Sequence, residues 1–427
     1  VASQRRNVAG EPQWQLEILD NGSKPPCRRS VIMRILAGKE VELSNTMLLT
    51  RSAPRTLGEA INSGNGFNLV RLIAALLVVV YHCFSLNPAH PGLPDPVTRL
   101  LAPASNLGAV AVGVFFMISG LFISRSWMHD PHVLRFLLRR VVRIVPGLLV
   151  CVTLTTLIAV AFFSDTGWAG VFSSATWRYV FGSATLHGLQ TVIPPEELRI
   201  AGVLNGQDIN GPLWTLYWEG RMYVMLALLG ASAILPMRTW LMGASIFLLA
   251  AAGLWPQVLG GYIWNAQMWP LFLIGILLCT LASSIRVGPA QVICALLLAG
   301  LSWARWMDTN STGLTFFGAT LILASAALWV GTARFQGQAY FQRNDYSYGV
   351  YIYHWPVILM LRAVMPGLNE ITLLLCALAV VLPLAMLSWH WIESPALHFT
   401  RRRLHHSSRM PEADIVSTNA SEAGIKR

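Results

Sequence analysis

Charge is what this sequence has least of. Only 12% of its 427 residues are Asp, Glu, Lys or Arg, against about 25% in ordinary soluble domains. That is too little polar material to coat the two or three domains such a length would otherwise form. With 54% hydrophobic residues and a positive mean hydropathy, the missing polar surface is better explained by lipid. Cysteine motifs are lacking too. Cys27, Cys83, Cys151, Cys279, Cys294 and Cys376 show neither CxxC nor zinc spacing, and five of them sit inside apolar runs, where Cys acts as a small hydrophobe. The pattern reads as no disulfide framework and no metal site. No continuous apolar signal-peptide core precedes the first long apolar run, and no repeat relates the two halves of the chain.

What the sequence has instead is long apolar runs. Stretches long enough, or nearly so, to cross about 30 Å of hydrocarbon at roughly 20 residues each fall at 67–84, 108–127, 147–163, 212–235, 240–258, 268–285, 290–306, 312–331, 346–364 and 371–392. The expected fold is all-α and polytopic, with about ten transmembrane helices. An even count puts both termini on one side. A net charge of +11 could mean nucleic acid, so its distribution decides. Of the 31 Lys and Arg, 24 fall on the side of the termini, five (Arg99, Arg178, Arg199, Arg305, Arg362) on the other, and Arg71 and Arg221 lie within spans. The positive-inside rule makes the rich side cytoplasmic, and the excess then faces anionic lipid rather than nucleic acid.

Three regions follow. Residues 1–66 read as a loose, partly disordered cytoplasmic extension, with Met33 and Met47 as candidate internal starts. Residues 67–395 form the membrane domain, and 396–427 a short polar cytoplasmic tail too small for a second catalytic domain. The one sizeable outer loop, about 164–211, is rich in Gly and Pro, with a short helix expected near 176–189. Loops of that length are usually functional or disordered. Any chemistry therefore belongs to the membrane helices and their loops.

Within the spans, Arg71 and His82 are eleven residues apart, close to three helical turns, so they share a face about 16 Å apart along the axis. The bland alternative is an Arg snorkelling to headgroups and a His bonded at the far interface. The Ser119-Gly120 pair admits a close backbone or a ligand, and helix packing explains it equally. Arg140 and Arg143, at i and i+3, could clamp phosphates as a fork; anchoring by the positive-inside rule is a complete alternative. Glu219 lies about 10 Å below the outer end of its helix, at a depth similar to that of His82. An intramembrane carboxylate needs a partner, which is either Arg221 or His82. In the latter case Glu219 would hold the imidazole as a base. His354 lies deeper than the rim among Tyr346, Tyr348, Tyr351 and Tyr353, and Glu393 most simply marks a cytoplasmic helix end.

Together these segments resemble the acyltransferase family 3 of integral membrane proteins, which includes bacterial carbohydrate O-acetyltransferases. Five motifs in order carry the likeness from Phe67 to Pro395: Arg71 to His82 with ten residues between; Phe115-Phe116-Met117-Ile118-Ser119-Gly120; Arg140-x-x-Arg143; Trp214-Thr215-Leu216-x-x-Glu219; and Ser347-Tyr348-Gly349-x-Tyr351 to His354-Trp355-Pro356. Asn68, Thr215 and Met222 stand where Asp, Ser and Phe are usual. The resemblance implies a ten-helix core, a cytoplasmic acyl-coenzyme A donor (acetyl-CoA by family habit) and an acceptor sugar modified on the periplasmic side of a bacterial inner membrane. It implies that His82 is essential and that Arg71, Arg140 and Arg143 belong to the donor site. Many relatives carry an added periplasmic esterase-like domain; this chain looks like the form without one, so any second transfer step would need another protein, and polysaccharide-assembly proteins are the expected partners.

Residues and resemblance fit one hypothesis. The arginines hold the donor's phosphates, and its arm runs along the first helix to His82. His82, oriented by Glu219, either deprotonates an acceptor hydroxyl or first takes the acyl group itself. Ser119, Arg221 and His354 are further candidates for the acceptor pocket, and no metal is called for. The rival from another class is a transporter or flippase of a polar or glycolipid solute, with Glu219, Arg221 and His354 lining the path. A third reading is a scaffold subunit of a polysaccharide complex.

Overall fold

A computed structural model describes residues 56–86, 94–101, 106–186, 200, 202–254, 263–288, 293, 296–297, 300 and 312–407. The helices are, in chain order, α1 (Leu57–Ser63), α2 (Phe67–Ser85), α3 (Pro96–Leu101), α4 (Leu107–His129), α5 (Val133–Phe163), α6 (Gly167–Val171), α7 (Ser174–Ala184), α8 (Trp214–Ala231), α9 (Met237–Leu254), α10 (Ile263–Thr280), α11 (Thr312–Thr332), α12 (Gln338–Arg343), α13 (Ser347–Val364), α14 (Glu370–Ser388) and α15 (Ser394–Ser407). No strand forms among the described residues; isolated bridges join Thr56 to Arg286 and Ser164 to Val203.

The protein is an all-α, multi-pass membrane protein. Phe67–Ser85, Leu107–His129, Val133–Phe163 and Glu370–Arg403 are long and apolar enough to cross a bilayer, and Met268–Thr280 and Ile322–Thr332 are shorter apolar stretches. Of the ten expected spans, that at 290–306 lies outside the described residues save at four positions; the other nine each fall on a helix. The interior is largely apolar, as in a soluble protein, but the outside is apolar as well. Leu228, Phe247, Val364 and Leu375 are more than half exposed on the outside of the bundle, while Asp345, Ser347, His354 and Glu393 are buried within it. Lipid solvates the first set and only protein can satisfy the second.

Helix starts follow local chemistry. The Asn106 side chain accepts from the Ala109 N–H at 2.8 Å and the Asn369 side chain from Thr372 at 2.9 Å, each taking one of the unpaired N–H groups of a first turn. In α13, Pro356 cannot donate to the carbonyl of Ile352, four residues back. The Cys151 thiol of α5 donates to that carbonyl instead, at 3.3 Å, so a packing cysteine also repairs the backbone. Gly120 of α4 faces Gly275 of α10: a Cβ on either would collide with a carbonyl oxygen, that of Phe272 or of Met117. Close packing therefore accounts for Gly120, while its neighbour Ser119 points elsewhere.

The helices refine three boundaries. The 147–163 span is the second half of a 31-residue helix, α5, because the carboxylates of Asp130, Asp345 and Glu393 satisfy its arginine-rich first half and let it continue beyond the apolar run. Residues 57–63 of the 1–66 extension form α1, held by a capping box of Thr56 and Glu59. Leu57 and Gly58 donate to the carbonyls of Ile285 and Ala282 at 2.7 and 2.8 Å; residues 1–55 lie outside the described residues. In the outer loop the expected helix is α7, which ends at Ala184 after a Ser173 cap, and 187–199 lie outside the described residues. The tail read from 396 begins helical, as α15.

Candidate active site

Two parallel helices set the site. α2 and α13 run side by side in the same direction, so Arg71 meets Asp345, just before α13, and His82 meets His354, nine residues further on. The three-turn spacing of Arg71 and His82 on one face is thus used at both ends.

At the Arg71 end lies a knot of charges. Arg71 Nη1 and Arg143 Nη2 both reach Asp345 Oδ2, at 2.7 and 2.6 Å, and Arg143 Nη1 reaches Glu393 Oε2 at 2.8 Å. Arg143 is held between the rings of Tyr348 and Trp389, each with its centroid 5.5 Å from the guanidinium carbon. Ser347 and Ser388 donate to the remaining oxygens of Asp345 and Glu393, at 2.5 and 2.9 Å. Glu393 closes the π turn Trp389–Glu393; the extra residue of such a turn re-aims a side chain, here inward. Arg140 is bound differently. Among the described residues its one hydrogen bond is Nη2 to Ser126 Oγ at 3.2 Å, and its buried Nε has no partner. Arg139 pairs with Asp130, which Arg135 also grips with two bonds, at 3.1 and 2.7 Å. Those bonds, Arg135 first, hold the Asp130 carboxyl down at about 2.

Beyond the knot a cavity of about 980 Å³ runs between α2, α4, α5, α8 and α13, with Asn62, Gln342 and Arg401 at its mouth and Tyr351 at its inner end. Partway in, Glu219 Oε1 accepts from Ser119 Oγ at 2.9 Å and from the Tyr223 hydroxyl, its i+4 neighbour on α8. The Tyr351 hydroxyl meets Thr215 Oγ1 at 2.6 Å and donates to the Pro212 carbonyl at 2.8 Å.

His82 and His354 lie just past Tyr351, outside the cavity's lining. His82 Nδ1 is 2.8 Å from His354 Nε2, and His354 Nδ1 is 2.6 Å from the Tyr351 carbonyl oxygen. The two rings lie edge to edge in nearly one plane, with centroids 5.0 Å apart and 18° from parallel, and Trp355 stands close to perpendicular to His82 with its centroid 4.9 Å away. Trp355 Nε1 donates to the Asp208 carbonyl at 2.7 Å, which ties the segment before α8 to the histidine pair.

Arg71, Arg140, Arg143, Ser119 and Glu219 therefore meet in one cavity, and His82 and His354 meet beside it. Two expectations are corrected. Glu219 does not hold His82: its carboxylate is taken by Tyr223 and Ser119 on the cavity side, and His354 occupies the place beside His82. Arg221 joins neither Glu219 nor the pocket. It is exposed, stacked over Trp218 and Tyr217 at 4.8 and 5.7 Å, because i+2 points it to the other side of the helix. Sequence reasoning missed Asp345, Tyr223, Tyr351 and the inward role of Glu393. An acid next to a helix end reads first as a cap, and no spacing within one helix shows which arginine on another will reach it.

A bundle that is apolar outside, with guanidiniums and a histidine pair inside, defines a multi-pass membrane protein with an internal polar site. Residues 65–390 match the acyltransferase domain model of acyltransferase family 3, and the chain belongs to that family and is an acyltransferase. It is 27% identical over 350 residues to an O-acetyl transferase of Shigella phage Sf6, covering 78% of this chain and 96% of the relative. It is 26% identical over 363 residues to nodulation protein 10 of Rhizobium leguminosarum bv. viciae, covering 78% and 93%. No solved structure matches significantly.

Proposed function

We propose that the protein moves an acetyl group from acetyl-CoA, entering at the arginine end of the cavity, to a hydroxyl of an envelope or secreted carbohydrate at the His82 end. The observation that carries this is the cavity's charge: Arg71, Arg139, Arg140, Arg143, Arg343 and Arg401 line it, against only Asp345 and Glu219. Guanidiniums suit pyrophosphate and the 3′-phosphate because they offer paired donors in a plane, and Arg140 has donors without a partner among the described residues. The printed name of the phage relative supports acetyl transfer to oxygen, and the excess of Lys and Arg on the side of the termini supports ten crossings with both ends in the cytoplasm of a bacterial inner membrane.

In the proposed reaction His82 takes the proton from the acceptor hydroxyl. The oxygen attacks the thioester carbonyl carbon, the carbon–sulfur bond breaks, and the proton passes from His82 to the departing thiolate. Glu219 acts at a distance from that step, as a positioning residue that takes the hydrogens of the Ser119 and Tyr223 hydroxyls and so leaves their oxygens as acceptors along the donor's path. The surrounding helices keep out the water that would hydrolyse the thioester. Membranes carrying wild type or His82→Ala at equal level, given radiolabelled acetyl-CoA, test the reading. Label should move to carbohydrate only with wild type; equal transfer by both refutes it.

A further inference from the structure

We infer that His354 is a positioning residue that dictates the tautomer of His82 and so decides which of its nitrogens is the base. The inference rests on the proposed role of His82. A carbonyl oxygen only accepts, so at 2.6 Å from the Tyr351 carbonyl His354 Nδ1 must carry the hydrogen. A neutral imidazole has one N–H, which leaves His354 Nε2 as a lone pair. That lone pair lies 2.8 Å from His82 Nδ1, so His82 must carry its hydrogen on Nδ1. His82 Nε2 is then the lone pair, available for a hydroxyl proton. A backbone carbonyl, whose position the helix sets, thus determines a protonation pattern two bonds away.

His354 is the only group hydrogen-bonded to the His82 ring among the described residues, and it is fully buried. A second proton on it would make Nε2 a donor and turn His82 Nδ1 into the acceptor. The hydrogen of His82 would then sit on Nε2 and block the base. It would also leave a buried cation with no carboxylate among the described residues bonded to either ring, which is unfavourable. The hydrogen bond in the shared plane of the two rings and the near-perpendicular ring of Trp355 hold the orientation. The usual partner for such a histidine is a carboxylate; here a neutral imidazole serves. When His82 accepts the acceptor's proton on Nε2, its Nδ1–H still donates to His354, but the positive charge is not neutralised. The proton is therefore readily returned to the thiolate, and no net proton stays in the site.

The test compares His354→Gln, whose amide offers an acceptor near the position of Nε2, with His354→Leu, which fills the space without hydrogen bonding. Initial rates are measured in membranes against acetyl-CoA and normalised to the protein retained, with His82→Ala alongside. We expect Gln to stay within about tenfold of wild type and Leu to lose roughly 100- to 1,000-fold in kcat, the range of a base in the wrong tautomer. KM for acetyl-CoA should move less than about threefold in either. If Leu lowers the retained level, His354→Met takes its place. Equal rates for the Gln and the apolar variant, with His82→Ala inactive, overturn the inference and leave the proposed function standing. Full activity in His82→Ala overturns the proposed function itself.

Discussion

Arg140→Gln and Arg143→Gln, three residues apart on one helix, should fail in different ways. Arg143 joins two carboxylates, Asp345 and Glu393, whose side chains are only 7% and 1% exposed, and is itself 16% exposed. Removing it strands buried charge, and breaking a buried pair by deleting one partner typically costs about 3–5 kcal/mol. Arg71 still reaches Asp345, so Glu393 bears most of the loss and the lower end of that range is expected. Arg140 leaves behind only the Ser126 hydroxyl, so its loss should change stability by less than about 1 kcal/mol. What Arg140→Gln removes is donors to a phosphate. At about 1.5–3 kcal/mol for a charge-assisted hydrogen bond, and tenfold per 1.4 kcal/mol, KM for acetyl-CoA should rise roughly 10- to 150-fold with kcat little changed. The assay is thermal unfolding in detergent, followed by loss of the monodisperse peak, beside initial rates against acetyl-CoA. Arg143→Gln combined with Glu393→Gln should recover much of the stability lost by Arg143→Gln alone, because the stranded charge is gone. Equal unfolding of both single variants, or Arg143→Gln as stable as wild type, would refute the division of labour.

Gly275→Val should lower the level of folded protein and its unfolding temperature, since an added Cβ meets the Met117 carbonyl and overpacking of this kind costs about 1–3 kcal/mol or more; unfolding in detergent checks it. Arg221→Gln should leave kcat and KM within about twofold of wild type, because the side chain is exposed and stacked on Trp218 rather than in the cavity; a tenfold loss would return it to the acceptor pocket. The Asp130 clamp has a defined pH signature. Its carboxyl is lowered to about 2 in the folded protein from an ordinary 3.8, so its contribution is fully present above about pH 5 and is lost as pH falls through 4 toward 2. Wild type and Asp130→Asn should therefore differ in stability at pH 7 by an amount that shrinks as pH falls from about 5 toward 2, measured by unfolding across that range.

Much of this molecule is legible in one dimension. Scarce charge and long apolar runs state that lipid is the solvent, and helical periodicity places Arg71 below His82 on one face, since rise and turn per residue are constants of the helix. The same constants put Ser119 and Gly120 on different sides of α4, and the structure uses each for its own purpose. Glu219 shows where that reading ends. Helix rise suggests a depth like that of His82, yet rise says nothing of azimuth, and the Tyr223 hydroxyl, one turn along, takes the carboxylate while His82 lies beyond Tyr351.

Pairings between helices are decided only by packing. Asp345 follows a polar stretch and Glu393 sits at a helix end, so both look like caps until α13 and the π turn swing them onto Arg143. The histidine pair is the sharpest case. His82 and His354 are 272 positions apart, and nothing along the chain records that α2 and α13 lie parallel and adjacent. Composition and periodicity are short-range properties and suffice to choose the solvent, the helices and the residues able to do chemistry. Which of those residues touch depends on the relative rotation of neighbouring helices, which is set by the whole bundle's packing at once.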